Sequence, residues 1–300
     1  MNQIPVEVNA IMPTATPSLD EVSTKVAEII PKPNPQLLEQ DLLKALRVVE
    51  RILSCSDDDI ESRAFLLNCF HEYGIPLMIP DFWRPWANYM NPSGFGALQI
   101  PTEIVDCLGL LIKLDIKTAI EIGTYRGGLS YFMTAVLQRV RSDFRLTMVD
   151  PWDSLLGFET FSRMLNLTKV IPGTSDDFAG KHFDFVFIDG DHSYDGAMRD
   201  FFNTGRHANK VLGFHDIHDH SADVGTVRAW DDIKTELCQS HTVYEIAHSV
   251  PRGLGIGLAI RSSTNSQDQP GRQTHHGRHR QGKSKRLPYH NISWLLAKWR

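Results

Sequence analysis

The chain reads as an α/β protein: a doubly wound parallel sheet of about seven strands, with an N-terminal helical extension before it and a basic C-terminal tail after it. Three observations carry that reading. Short apolar runs alternate with amphipathic stretches from residue 101 to residue 260. Glycines at 123, 127 and 128 follow the first of those runs and open a helix. Acidic and histidine residues gather directly after two later runs, at 189–192 and 215–220.

Residues 1–36 are rich in Pro, Thr, Ser and Val without period and end in PKPNP, which disfavours helix, so a flexible leader is expected. From Leu38, the apolar positions Leu42, Ala45, Leu46, Val49, Ile52 and Leu53 recur at helical spacing. The acids at 57–59 then offer caps for a second helix through Ile60, Phe65, Leu66 and Phe70, which Gly74 and Pro76 stop. Phe82, Trp83, Trp86 and Tyr89 follow in a loop and are expected to form a small satellite core. Residues 37–100 are thus expected as a helical extension or lid, and 101–260 as the main domain. Within that domain a helix through Ile104, Leu108, Leu111 and Ile112 leads into strands at 118–122, 145–149, 169–171, 183–188 and 210–214. Helices at 128–140, 154–165, 194–204 and 224–237 separate them, and 243–246 with 253–260 form a closing strand pair. Residues 261–300 are polar and nearly free of aliphatics, so a disordered tail is expected.

A hydrophobic fraction of 42% and a mean hydropathy of -0.24 are those of ordinary soluble domains. No apolar stretch approaches the roughly 18 residues that span a bilayer, so no membrane is expected as a partner. The opening residues have neither a basic start nor an unbroken apolar segment, which argues against a secretory or transit signal and for the cytoplasm. Cys55, Cys69, Cys107 and Cys238 show no CxxC pair and read as free thiols in a reducing compartment. Residues 261–300 carry nine Lys/Arg and one Asp, or +8, which leaves -13 of the net -5 on residues 1–260. The basic tail interleaves no aromatics with its charge, so no specific nucleic acid is expected. Its His275, His276 and His279 read as solvated. The acidic body favours a cationic ligand over a polyanion.

The stretch AIEIGTYRGGLS, residues 119–130, joins a strand to a helix through a glycine turn. A dinucleotide fold expects G-x-G-x-x-G, whereas the spacing here is G-x-x-x-G-G with an acid two positions before the first glycine. That carboxylate would repel a pyrophosphate and suit a cation. The second strand ends in Asp150, an acid at the distance where nicotinamide enzymes also grip a ribose, so Asp150 alone does not separate cofactor classes. The turn resembles the first motif of class I S-adenosylmethionine-dependent methyltransferases, E/D-x-G-x-x-x-G, matched by Glu121, Gly123 and Gly127. The resemblance implies a Rossmann-like sheet holding S-adenosyl-L-methionine at Glu121, Gly123, Thr124, Tyr125 and Gly127, with Asp150 on the ribose hydroxyls. The later PGTSDDF resembles the adenine-side loop of these enzymes and implies contacts from Ser175 and Asp176, although Ser-Asp-Asp after a strand also fits a helix cap.

FDFVFIDGDHSYDGAMRDF supplies Asp189, Asp191 and His192, and VLGFHDIHDH supplies His215, Asp216, His218, Asp219 and His220, each cluster at a strand's carboxyl end. Neighbouring parallel strands lie about 5 Å apart, so Asp189 and Asp216 can share a hard cation or face one substrate hydroxyl. D-G-D-H-S-Y-D-G followed by F-H-D-I resembles a methyltransferase branch that includes bacterial sugar and polyketide O-methyltransferases and cephalosporin hydroxylase-like proteins. The likeness covers residues 96–260. It implies Asp189 and Asp216 as ligands for a candidate Mg2+, Asp189 also beside the cofactor, and His192 as catalytic base. His215 stands where several relatives have a second acid, and a neutral imidazole is a poor magnesium ligand. The implied function is O-methylation of a small-molecule acceptor, a sugar or other metabolite hydroxyl. Two rivals are a cofactor-binding or assembly module without turnover and a nicotinamide-dependent oxidoreductase, which the glycine spacing disfavours. Nothing in the sequence marks an oligomeric state.

Overall fold

The computed structural model describes residues 34–77, 81–218, 225–248 and 254–262. Its sheet has seven strands: β1 (Thr118–Ile122), β2 (Arg145–Val149), β3 (Leu167–Val170), β4 (Phe185–Ile188), β5 (Val211–His215), β6 (His241–Ile246) and β7 (Ile256–Arg261). Their order across the sheet is β3-β2-β1-β4-β5-β7-β6. The first five are parallel, and β7 runs antiparallel to both β5 and β6. The chain steps outward from β1 to β3 and then returns to β4, so the strand order reverses between β1 and β4. A crevice opens there at the carboxyl ends, where an open α/β sheet binds ligands.

Side chains alternate between two apolar clusters. Ile120, Ile122, Val186, Ile188, Leu212 and Phe214 face helices α7 (Tyr194–Asn203) and α8 (Gly225–Leu237). Ala119, Leu146, Met148, Phe185, Phe187 and Val211 face the other way, toward α4 (Pro101–Leu111) and α5 (Gly128–Val140). The same cluster takes in Val49 and Ile52 of α1 (Pro35–Ser54) and Leu66 and Phe70 of α3 (Arg63–Tyr73).

Four expectations change. The leader's PKPNP does not delay the first helix: Pro35 occupies its first turn, and the Asn34 side chain accepts from Gln36 N at 3.0 Å. The second expected helix is two, α2 (Asp57–Ile60) and α3, because Ser56 and Ser62 each cap a separate start. Trp83 and Trp86, on a 3₁₀ helix Asp81–Tyr89, are buried in the main apolar cluster rather than in a satellite core. The helix expected over 154–165 shrinks to one turn, α6 (Phe158–Phe161). Ser154 Oγ donates to Tyr125 O at 2.8 Å and Leu156 N to Arg126 O at 3.2 Å, so those residues form a loop tied to the glycine turn. Elsewhere strand ends move by one to three residues, and β7 runs from Ile256 to Arg261, the first residue assigned to the tail. The rest of the tail, including His275, His276 and His279, and leader residues 1–33 lie outside the described residues.

The extension reaches the crevice through specific bonds. Tyr73 Oη donates to Gly128 O at 2.9 Å, and Arg126 Nη1 donates to Gly94 O at 2.7 Å. A Cβ at Gly128 would lie 1.8 Å from Gly96 O. Gly128 therefore serves the packing of residues 94–97 onto the start of α5. Among the described residues no helix is long and apolar enough to cross a membrane. All four cysteines are unpaired.

Candidate active site

The β1–β2 side of the crevice is shaped by backbone. Gly123 turns the chain after β1 with φ +89, and a Cβ there would lie 2.1 Å from Asp189 O. The ends of β1 and β4 come this close only because position 123 lacks a side chain. Gly127, φ +82, caps the start of α5. Tyr125 (φ +48) and Asp216 (φ +59) are the non-glycine residues with positive φ among those described, and they flank the crevice from opposite sides. Strained backbone of this kind gathers at functional sites.

Asp150 fastens that turn. Its Oδ2 accepts Thr124 N at 3.0 Å and Tyr125 N at 2.9 Å, and its Oδ1 accepts Trp152 N at 2.9 Å. Of the roughly four acceptor positions a carboxylate offers, three are filled, leaving about one for a ribose hydroxyl. Burial raises its carboxyl above the ordinary range, against the lowering effect of the three N–H donors. Glu121 departs further from expectation. It is fully buried, takes Ser130 Oγ at 2.5 Å, and burial, helped by the charges of Asp189 and Asp150, pushes it up to about 8. At neutral pH it keeps its proton, so the ionised carboxylate expected at this turn is a neutral acid.

Ser175 and Asp176, assigned by the resemblance to the adenine side, bond to α7 in this structure. Ser175 Oγ donates to Asp200 Oδ1 at 2.6 Å, and Asn203 Nδ2 reaches Asp176 Oδ1 at 2.6 Å. Thr174 and Asp177 form a capping box that starts the 3₁₀ turn Ser175–Phe178. This is the cap geometry, with Thr174 as the cap residue, and it bolts the turn to α7.

On the other side, Ile188 of β4 pairs with Phe214 of β5, which sets Asp189 beside His215. His215 Nδ1 lies 2.9 Å from Asp189 Oδ1 and 3.3 Å from Asp216 Oδ1. Burial lowers the basicity of this imidazole, but the carboxylates of Asp189 and Asp216, with Glu103 behind them, outweigh that and raise it to about 9. His192, half exposed, brings Nε2 to 3.2 Å from Asp216 Oδ2 and 4.0 Å from Asp189 Oδ1. Asp191 instead accepts Ser193 N at 2.9 Å and shapes the start of α7. His218 N donates to Leu254 O at 2.9 Å, which ties the loop after β5 to the start of β7. Asp219 and His220 lie outside the described residues. The extension adds a residue that the sequence did not single out: buried Gln99 donates Nε2 to Asp189 Oδ2 at 2.9 Å. A lone Gln before a proline-led helix carries no motif, so only the folded chain reveals it.

A family model described as a methyltransferase domain matches residues 120–217, from the glycine turn through both acidic strand ends. That third of the chain is therefore similar to a methyltransferase domain. Similar solved structures include the O-methyltransferase TomG of Streptomyces achromogenes, involved in tomaymycin synthesis and solved with SAM. It is 17% identical, with a TM-score of 0.39 over 61% of this chain and 86% of that one. An O-methyltransferase of Bacillus cereus in complex with SAH is 14% identical, with a TM-score of 0.40 over 81% and 97%. The SAH-bound Podospora anserina methyltransferase PaMTH1 is 12% identical, with a TM-score of 0.39 over 84% and 100%. No curated protein matches the chain.

Two groups implied by the methyltransferase resemblance can be tested against these residues. The cofactor fits. Thr124 Oγ1, inside the glycine turn, is buried with no hydrogen-bond partner among the described residues, and Asp150 retains one acceptor position. Magnesium does not fit. Although ligand atoms of Asp189, His192 and Asp216 lie within 4.8 Å of one another, both Asp189 oxygens meet side-chain nitrogens at hydrogen-bond distance, and the buried Asp216 Oδ1, which takes no hydrogen bond among the described residues, lies at ion-pair distance from the His215 imidazole, whose positive charge opposes a cation there.

Proposed function

We propose that this chain is an O-methyltransferase acting on a hydroxyl of a small molecule, a sugar or other metabolite, with His192 as the catalytic base. One observation carries the reading: the half-exposed imidazole of His192, in the loop whose Asp189 backbone packs on the Gly123 turn, lies 3.2 Å from the buried carboxylate of Asp216 after β5. Base and cofactor turn are thereby adjacent. Glu121, Gly123, Thr124, Tyr125, Gly127 and Asp150 would hold S-adenosylmethionine. When bound, that cofactor supplies a methyl carbon made electrophilic by a sulfonium sulfur that takes back the C–S electron pair. Methyl transfer to an alcohol needs an aligned oxygen relieved of its proton. Asp216 accepts from His192 Nε2–H, which leaves Nδ1 free of that bond and able to take the acceptor's hydroxyl proton. Asp189 stands at the same strand edge and is held by Gln99 and His215. The four unpaired thiols accord with a reducing compartment, and the proposal assigns the activity to the cytoplasm.

The test pairs calorimetry with S-adenosylhomocysteine and transfer of label from methyl-labelled cofactor into a small-molecule extract. Wild type should bind and transfer. His192→Ala should keep its affinity within about twofold while losing about 10²–10⁴-fold in transfer rate. Full transfer by the variant removes His192 as the base, and absence of binding in wild type removes the whole reading.

A further inference from the structure

The Asp189–Asp216 pair sits where the methyltransferase resemblance implies a divalent cation, yet its oxygens are engaged otherwise. Asp189 Oδ1 faces His215 Nδ1 at 2.9 Å and its Oδ2 faces Gln99 Nε2 at 2.9 Å. Asp216 Oδ1 takes no hydrogen bond among the described residues and lies at ion-pair distance, 3.3 Å, from His215 Nδ1, and its Oδ2 lies 3.2 Å from His192 Nε2. His215 and Gln99 are both buried. A hard cation would have to displace these nitrogens, and it prefers oxygen donors.

We infer that His215 and Gln99 are positioning residues that hold Asp189 and Asp216 together in place of a metal ion. His215 bridges the two carboxylates from β5, where a divalent ion would otherwise bridge them. Gln99 reaches in from the extension and fixes the outer oxygen of Asp189, so residues preceding the sheet take part in building its acceptor edge. The same geometry predicts what would convert the site. Replacing the bridging imidazole by a third carboxylate leaves three acids with nothing between them, the oxygen-rich arrangement that Mg2+ and Mn2+ take.

The inference is independent of the methyl-transfer reading, because its readout is metal binding by the full chain, with neither cofactor nor acceptor present. Free Mn2+ is followed by electron paramagnetic resonance as it is titrated into wild type, His215→Asp and Asp216→Asn. Wild type should show no site below about 1 mM that Asp216→Asn abolishes. His215→Asp should gain one site at least about tenfold tighter than anything in wild type. A folded His215→Asp protein without that gain overturns the bridging role of His215. A wild-type site abolished by Asp216→Asn overturns the inference outright, and that arm stands even if His215→Asp fails to fold. Loss of methyl transfer with the metal results as expected would remove the proposed function and leave this inference intact.

Discussion

On the β1–β2 side of the crevice the acids serve the loop: Asp150 gathers three backbone N–H groups, and Glu121 keeps its proton beneath the turn. On the β4–β5 side they face side chains: Asp189 and Asp216 bond histidines, one buried and one half exposed. Both halves have acids at strand ends, and the second also brings titratable imidazole nitrogens against its acids. Under the proposed function, the β1–β2 half would serve the cofactor through backbone shape and the β4–β5 half the acceptor through side-chain chemistry. Changes in the first half should therefore move stability and cofactor affinity together, whereas His192→Ala should move turnover alone.

Gly123 is the harshest test of that division, because it joins the halves. Gly123→Ala puts a methyl group against the Asp189 carbonyl at a φ that L residues rarely adopt. We expect a loss of about 4 kcal/mol or more in denaturant unfolding, together with loss of both cofactor binding and transfer. A variant of near-native stability would show that the two strand ends are not held as tightly as the structure has them.

Glu121 yields the next largest effect, and it depends on pH. Its carboxyl is raised from an ordinary value of 4.5 to about 8. In the unfolded chain it ionises near the ordinary value, while the folded chain retains the proton to about 8. Stability contributed by this group is therefore fully present below the ordinary value and is lost as pH rises through that window. Glu121→Gln has no proton to lose. Relative to the variant, wild type should be nearly matched near pH 4.5 and weaker by on the order of 4 kcal/mol at pH 8, read from denaturant midpoints across that range. Parallel profiles would mean that Glu121 is ionised when folded.

Asp150→Ala follows. Losing the carboxylate that accepts from three backbone N–H groups should cost about 2 kcal/mol and weaken S-adenosylhomocysteine binding at least about tenfold, both falling together. Stability without affinity loss would separate the turn from the cofactor.

The sheet was legible because periodicity reports burial: β1, β2 and α5 match the sequence-predicted ranges residue for residue. The segment at 154–165 departs from the helix its apolar spacing predicts, because hydrogen bonds to Tyr125 and Arg126, distant in sequence, hold its first part as a loop. At the site, the identities of Asp189, His192 and Asp216 were visible as strand-end polar clusters. The uses of Glu121 and Gln99 were not, since one depends on complete burial and the other on a contact spanning 90 residues. His215 was noticed only as a departure from the expected acid; that it bridges two carboxylates required the β4–β5 register.

Ser175 carries the smallest expected effect and sharpens the comparison most finely, because it separates motif resemblance from placement. The resemblance assigns its hydroxyl to the cofactor's adenine, whereas the fold turns that hydroxyl to buried Asp200, whose carboxyl burial already raises above its ordinary range. Removing the hydroxyl leaves Asp200 Oδ1 with Arg199 Nε at 3.6 Å, too long for a good hydrogen bond. Ser175→Ala should therefore cost about 1 kcal/mol in unfolding while S-adenosylhomocysteine affinity stays within about twofold by calorimetry. If affinity falls and stability does not, the adenine assignment is right and the Ser175–Asp200 bond gives way when the cofactor binds. If stability falls alone, the shape of the β1–β2 half extends to its far edge, where a side chain that looks like a ligand contact is a fastening between the 3₁₀ turn and α7.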